Sequence, residues 1–144
     1  MTARQYCTFE LGGRLYGVGI EHVQEVLREQ DMTVVPLAPS FVRGLINLRG
    51  EIVPALDLRA RLGLPASAGA SSNMVLRTDS GLVSLLVDAI GDVLEVREAD
   101  VEPTPPSLSG PARRLLLGVV QLERRLLHVL DHRAIHQRPE PDHG

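Results

Sequence analysis

The segment GLINLRGEIVPALDLRARLG, residues 44–63, alternates apolar and polar residues on both sides of a polar break at Arg49-Gly50. Period-two alternation sends every second side chain to one face, so the two runs read as the strands of a hairpin. Asp57 stands where a short polar side chain caps a helical turn, and Gly63 stands where such a turn ends. A fainter copy, GVVQLERRLLHVLDHRAIH, occupies residues 118–136. A shift of 74 residues aligns the two without a gap: Gly44 meets Gly118, Leu48 meets Leu122, Leu56 meets Leu130, Asp57 meets Asp131, and Arg59-Ala60 meets Arg133-Ala134.

A second, weaker register extends the duplication upstream. Shifted by 67, Leu15 pairs with Leu82, Ile20 with Val87, Glu21 with Asp88, Val23 with Ile90, Glu25 with Asp92 and Val26 with Val93. Each copy thus reads as strand, strand, short helix, strand, strand, helical turn. Gly12-Gly13 and Asp79-Ser80-Gly81 are the turns of the first hairpins. Ile20, Val23, Val26 and Leu27 recur at helical spacing, so EHVQEVLRE is expected to be a short helix, and AIGDVLEV likewise. The small-residue stretch Pro65–Asn73 reads as a linker and Glu102–Pro111 as a proline-rich loop. Residues 138–144 read as a frayed tail.

Four or five short strands per copy suit a small curved barrel better than an open sheet. Each copy is too short to bury more than a marginal core, so two barrels sharing an apolar seam are expected. The chain is read as mainly β, one domain over residues 1–144. Its approximate subdomains are 14–64 and 74–130, with the N-terminal strand and the C-terminal segment completing or crossing between the barrels.

Composition narrows the function. Of the 144 residues 44% are apolar and 23% charged, which is ordinary for a globular chain, and the net charge is −3. A nucleic-acid binder needs a basic face and stacking platforms, whereas here aromatics are 3% with no Trp. Cys7 is single, so no disulfide framework is expected, and its place in a strand pattern suggests a buried, inert thiol. No signal peptide or membrane span is read, and the expected location is the cytoplasm.

The catalytic inventory is thin. Gly12, Gly13, Gly17 and Gly19 lack dinucleotide-binding spacing, and Ser40, Ser80 and Ser84 lack a nucleophile elbow. Glu21/Glu25 and Asp88/Asp92 sit four apart and read as solvated helix faces. His128, His132 and His136 are a candidate metal set, but the first copy has Pro54 and Leu58 at two of those positions. No metal, cofactor or catalytic residue is expected, and the chain is read as not an enzyme.

The stretch FVRGLINLRGEIVPALDLRARLGL, residues 41–64, resembles the signature of the CheW-like family. It matches at Gly44, Asn47, Leu48, Arg49, Gly50, Pro54, Asp57, Leu58 and Arg59. YGVGIEHVQEVLRE and LLVDAIGDVLEV are similar to two further family segments, so the resemblance runs from about Tyr6 to His136. It implies two SH3-like five-stranded β-barrels packed on a common apolar core, with short helices. It also implies a non-enzymatic adaptor that joins the cytoplasmic tips of chemoreceptors (methyl-accepting chemotaxis proteins) to the regulatory domain of a CheA-type histidine kinase. Membrane association would come through these protein contacts, with no direct insertion and no nucleic acid. By position, Val23, Glu25 and Val26 match receptor-binding positions, and Arg49 matches the signature Arg of receptor–kinase coupling. An Arg in the turn beside a short acidic helix is expected to pair with Glu25. No residue is assigned to the kinase contact. Arg124-Arg125 departs from the family's commoner Gly-Asp-type turn.

Three other readings compete. One keeps the fold and changes the role to a non-motility chemosensory pathway or to competition for kinase sites. A small-barrel nucleic-acid or ligand binder is opposed by the charge and the lack of aromatics. A metal enzyme would have to use the C-terminal histidines.

Overall fold

The computed structural model describes residues 2–65, 72–106 and 110–135. Most of the expected linker 65–73, residues 107–109 of the proline-rich loop, His136 and the tail lie outside the described residues. The architecture is mainly β, in two five-stranded sheets. The strands are β1 (Ala3–Leu11), β2 (Arg14–Gly19), β3 (Val23–Arg28), β4 (Val42–Leu48), β5 (Glu51–Asp57), β6 (Ser72–Thr78), β7 (Gly81–Val87), β8 (Ala89–Arg97), β9 (Leu116–Gln121) and β10 (Leu126–Leu130). Three short helices accompany them: α1 (Leu58–Leu62), α2 (Pro111–Arg114) and α3 (His132–Ile135).

One sheet runs β8-β1-β2-β10-β9 and the other β3-β6-β7-β5-β4. Sheet membership therefore departs from the expected halves 14–64 and 74–130. The first copy donates its β1–β2 hairpin to the sheet built from β8, β9 and β10. The second copy donates β6–β7 to the sheet built from β3, β4 and β5. The joins are parallel pairings, β2 with β10 and β7 with β5. Two hairpins of the same pattern can fill either place, so nothing local in the sequence distinguishes the exchanged arrangement from the sequential one.

Both sheets close. The chain leaving β3 returns at Thr33 to bridge Leu45 of β4, and the chain leaving β8 returns at Glu102 to bridge Val119 of β9. The equivalent glycines Gly44 and Gly118 mark these closures. A Cβ on Gly44 would lie 2.7 Å from the Thr33 carbonyl oxygen, and one on Gly118 would lie 2.5 Å from that of Glu102. The matched glycines of the repeat thus mark where backbone meets backbone. Gly44→Ala and Gly118→Ala are each expected to destabilise the protein by about 1–3 kcal/mol, the range for forced overpacking. Urea unfolding checks this; unchanged midpoints would mean that the closures are looser than drawn.

Three apolar clusters follow from this topology. Ile46, Leu48, Val53, Ala55 and Val75 fill one barrel, and Tyr6, Leu15, Val96, Val120, Leu127 and Val129 fill the other. The largest cluster joins Phe9, Tyr16 and Val18 of one sheet to Leu56, Met74, Leu76 and Leu85 of the other, with Leu58, Leu62 and Ile135 from α1 and α3. This is the expected shared seam. The expected helical turn is also present: the Asp57 side chain accepts the Ala60 N–H at 3.3 Å, and Gly63 ends α1 at φ 74°.

The two expected short helices are strands, β3 and β8, of which only Ile20–His22 is a 3-10 turn. Each strand carries a bulge. Between Val23 and Glu25 an extra residue shifts the register, so Val23 faces Leu76 and Val26 faces Met74. In β8, Ile90 faces Phe9 and Val93 faces Cys7. A bulge puts residues three apart on one sheet face, which imitates the i, i+3 period of a helix. The repeat preserved the bulge, and the bulge misled the periodicity.

Candidate functional site

The β4–β5 turn is tight, with Leu48 paired to Glu51 and positive φ at both central residues, 52° at Arg49 and 88° at Gly50. Such a turn matches the twist of the flanking strands and favours Asn or Gly in both places. The Asn47 side-chain oxygen accepts the Gly50 N–H at 2.8 Å and holds the corner. Arg49 occupies a left-handed position that most side chains avoid, so its guanidinium is the reason to look for a function there.

That guanidinium reaches β3. Nη1 and Nη2 of Arg49 donate to the two Glu25 carboxylate oxygens at 2.5 and 2.7 Å. Fork-on-carboxylate pairing of this kind fixes geometry as well as charge. The hydrogen bond from Arg49 draws the Glu25 pKa below its ordinary value, and the Glu25 bond raises that of Arg49. The pair is therefore charged at neutral pH. β3 and β4 are the two ends of the strand order, so the ion pair spans the same closure that Thr33 and Leu45 make in backbone. Glu25 lies on a strand and not on the expected helix; the bulge turns its side chain to the face of Val75.

Of the other two candidates, Val23 packs against the seam, while Val26 is 46% exposed. Of the four residues the structure brings only Glu25 and Arg49 into contact; Val23 and Val26 share the other face of β3, Val23 against the seam and Val26 exposed. Cys7 is partly buried against the seam rather than fully buried, and burial raises its thiol pKa. His128 is buried, its Nδ1 2.9 Å from the Leu15 carbonyl oxygen, whereas His132 stacks on His22. Among the described residues no group of three or more His, Cys, Asp or Glu is placed to hold a metal ion.

Sequence reasoning missed the seam's own polar clasp. Arg59, the Arg of the Asp-Leu-Arg motif, donates Nη2 to Asp88 Oδ2 at 2.6 Å and Nε to Oδ1 at 3.3 Å, and Asp88 Oδ2 also accepts the Gly12 N–H at 3.0 Å. One carboxylate so ties α1, the β7–β8 junction and the β1–β2 turn. The signal was present as the Glu21/Asp88 match in the repeat, but its partner lies 29 residues away. Burial opposes ionisation of Asp88, yet the Arg59 and Gly12 hydrogen bonds outweigh it, and its pKa falls below 3.8. A lowered acid contributes stability above the unfolded value and loses it as pH falls below about 3.8. Asp88→Asn is expected to cost about 1 kcal/mol at neutral pH, since the group is partly solvated. The difference from the natural chain should shrink as pH falls below 3.8. Chemical denaturation at neutral pH and at successively more acidic pH reads this, and a cost independent of pH would refute the ionic account.

Two closed barrels on a shared core, with an accessible ion-paired arginine at one turn, define a double-barrel β module. The comparisons with known proteins give that module its family. A CheW-like domain profile matches residues 5–140. The chain is 35% identical over 130 residues to the chemotaxis protein CheW of Rhizobium meliloti (strain 1021), covering 89% of this chain and 84% of that one. It is 33% identical over 133 residues to the chemotaxis protein CheW of Treponema pallidum (strain Nichols), covering 88% and 78%. The crystal structure of the scaffolding protein TtCheW from Thermoanaerobacter tengcongensis superposes with a TM-score of 0.85 at 27% identity, covering 93% of this chain and 92% of that one. The chain belongs to the CheW-like family, and its barrels are of the SH3-like kind. No helix among the described residues is long and apolar enough to cross a membrane.

Proposed function

We propose that this protein is a non-enzymatic chemotaxis adaptor that couples the cytoplasmic tips of chemoreceptors to the regulatory domain of a CheA-type histidine kinase. It works in the cytoplasm and joins membrane arrays through its partners alone. The receptor side comprises the Glu25–Arg49 pair and the exposed Val26, with Val23 holding β3 to the seam. The observation that carries this reading is Arg49 itself. It is held at a left-handed turn position and pinned bidentately to Glu25, while 70% of its side chain stays accessible. An arginine pre-oriented in that way loses little freedom on meeting a partner's helices, and Arg is among the residues that dominate interfaces.

Each contact is expected to be micromolar, about −8 kcal/mol, with arrays strengthened by many such contacts at once. The test mixes the purified protein with a receptor signalling fragment, with the kinase, and with both. Kinase stimulation only in the complete mixture supports coupling. Binding to kinase with no receptor dependence would replace this reading with kinase-site competition, and failure to bind either would end it.

A further inference from the structure

The repeat predicts two equivalent clasps across the seam, one at each end, and the structure has built them from different chemistry. At one end Arg59 at the start of α1 holds Asp88. The repeat places Arg133 and Glu21 at the matching positions of the other end. There, Glu21 bonds Arg4 of β1. The neighbouring residues take over the contact: His22 and His132 stack with ring centroids 3.5 Å apart and planes 16° from parallel. His22 closes the 3-10 turn that carries the chain from β2 to β3, and His132 opens α3 after β10, so the stack lies beyond the ends of the parallel pair β2–β10, where the chain passes from one sheet to the other.

We propose that the His22–His132 stack is a proton-operated latch, closed while at most one ring is charged and released when both are. Two imidazolium rings at this separation repel, whereas Arg59 and Asp88 at the other end attract at every pH near neutrality. His22 has charged neighbours of both signs. Glu21 Oε1 lies 3.3 Å from its Nε2 and favours the charge, but that carboxylate is engaged by Arg4. Arg4, Arg77 of β6 and His132 oppose the charge. Arg77 is fixed there, donating to the Glu21 carbonyl and to Gln24 Oε1 at 2.7 and 2.8 Å. Burial is the largest influence on His22, and with the neighbouring cations it lowers the pKa below 6.5. The unfolded chain then binds the proton more readily than the folded one. Stability is lost as pH falls through about 6.5 and levels off below the folded value. His128, also buried and also lowered, adds a background common to every variant below.

The test is amide hydrogen exchange on the full chain at pH 7.5 and 5.5, corrected for intrinsic rates. The reporters are Val23, whose N–H bonds the Ile20 carbonyl, and Ala134 and Ile135, whose N–H groups bond that of Asp131. Their protection is expected to fall about fivefold more than that of Gly63 and Leu64 in the Arg59 end, the effect of two unit charges about 4 Å apart under water-like screening. In His132→Gln and in His22→Gln the excess should disappear, because neither can form the charged pair. If one variant fails to fold, the other gives the answer. A proton titration of the imidazole Cε1–H adds a second reading, with His22 expected to titrate lower in the natural chain than in His132→Gln. Equal His22 midpoints, or an excess loss that persists in the variants, would overturn the latch.

Discussion

Arg49→Glu should disconnect receptor from kinase while leaving the fold standing. The substitution sets a second carboxylate against Glu25 across the barrel closure, so the turn loses its fork and the rim gains repulsion. For the fold this is a solvent-screened loss, because the Arg49 side chain is largely exposed and surface pairs contribute little. The midpoint of thermal unfolding should move by only a few degrees. For the proposed partner it removes a pre-oriented cation and presents the opposite sign, and affinity for a receptor fragment is expected to fall about 30-fold, as for an interface hot spot. Arg49→Lys should fall between, since an ammonium cannot make the two parallel bonds. The exchange Glu25→Arg with Arg49→Glu separates pinning from contact. It should restore thermal stability but not coupling, because the charge offered to the partner is inverted. Full coupling by Arg49→Glu in a kinase assay would remove Arg49 from the proposed site.

Cutting the chain in the 66–71 stretch should unfold both halves and mixing them should restore the protein. Residues 1–65 contain β1 and β2 without the β8, β9 and β10 to which they belong, and β3, β4 and β5 without β6 and β7. Each half would expose its side of the central cluster, including Phe9, Tyr16 and Leu56 from one half and Met74, Leu76 and Leu85 from the other. A fragment of that size with its core cut open cannot offset its conformational entropy. Neither half alone should show a cooperative transition in circular dichroism, and an equimolar mixture should regain one. A half that folds cooperatively by itself would contradict the strand exchange.

Much of this was legible before any coordinates. The duplication, the hairpins at Gly12-Gly13 and Arg49-Gly50, the Asp57 cap and the Gly63 stop all rest on local chemistry, and local chemistry is what a sequence states. The Glu25–Arg49 pairing was expected only once the resemblance had set both residues at one site, because β3 and β4 meet through the barrel closure, which local chemistry does not state. The two strands read as helices were illegible for a specific reason: a bulge in β3 and another in β8 set Val23 with Val26, and Ile90 with Val93, on common faces at a helix-like interval. The seam clasps were hidden because Arg59 with Asp88, and His22 with His132, meet only after the halves have traded hairpins.

The residue pattern by itself determined that there would be two like barrels, where their tight turns and caps would fall, and which glycines would recur. Tertiary structure alone decided which hairpin completes which barrel, and therefore which charges and rings face each other across the join. Hairpins with the same alternation satisfy either sheet equally well at short range, so the choice is made by long-range burial around Phe9, Tyr16, Leu56 and Leu85, which no local stretch of the chain encodes.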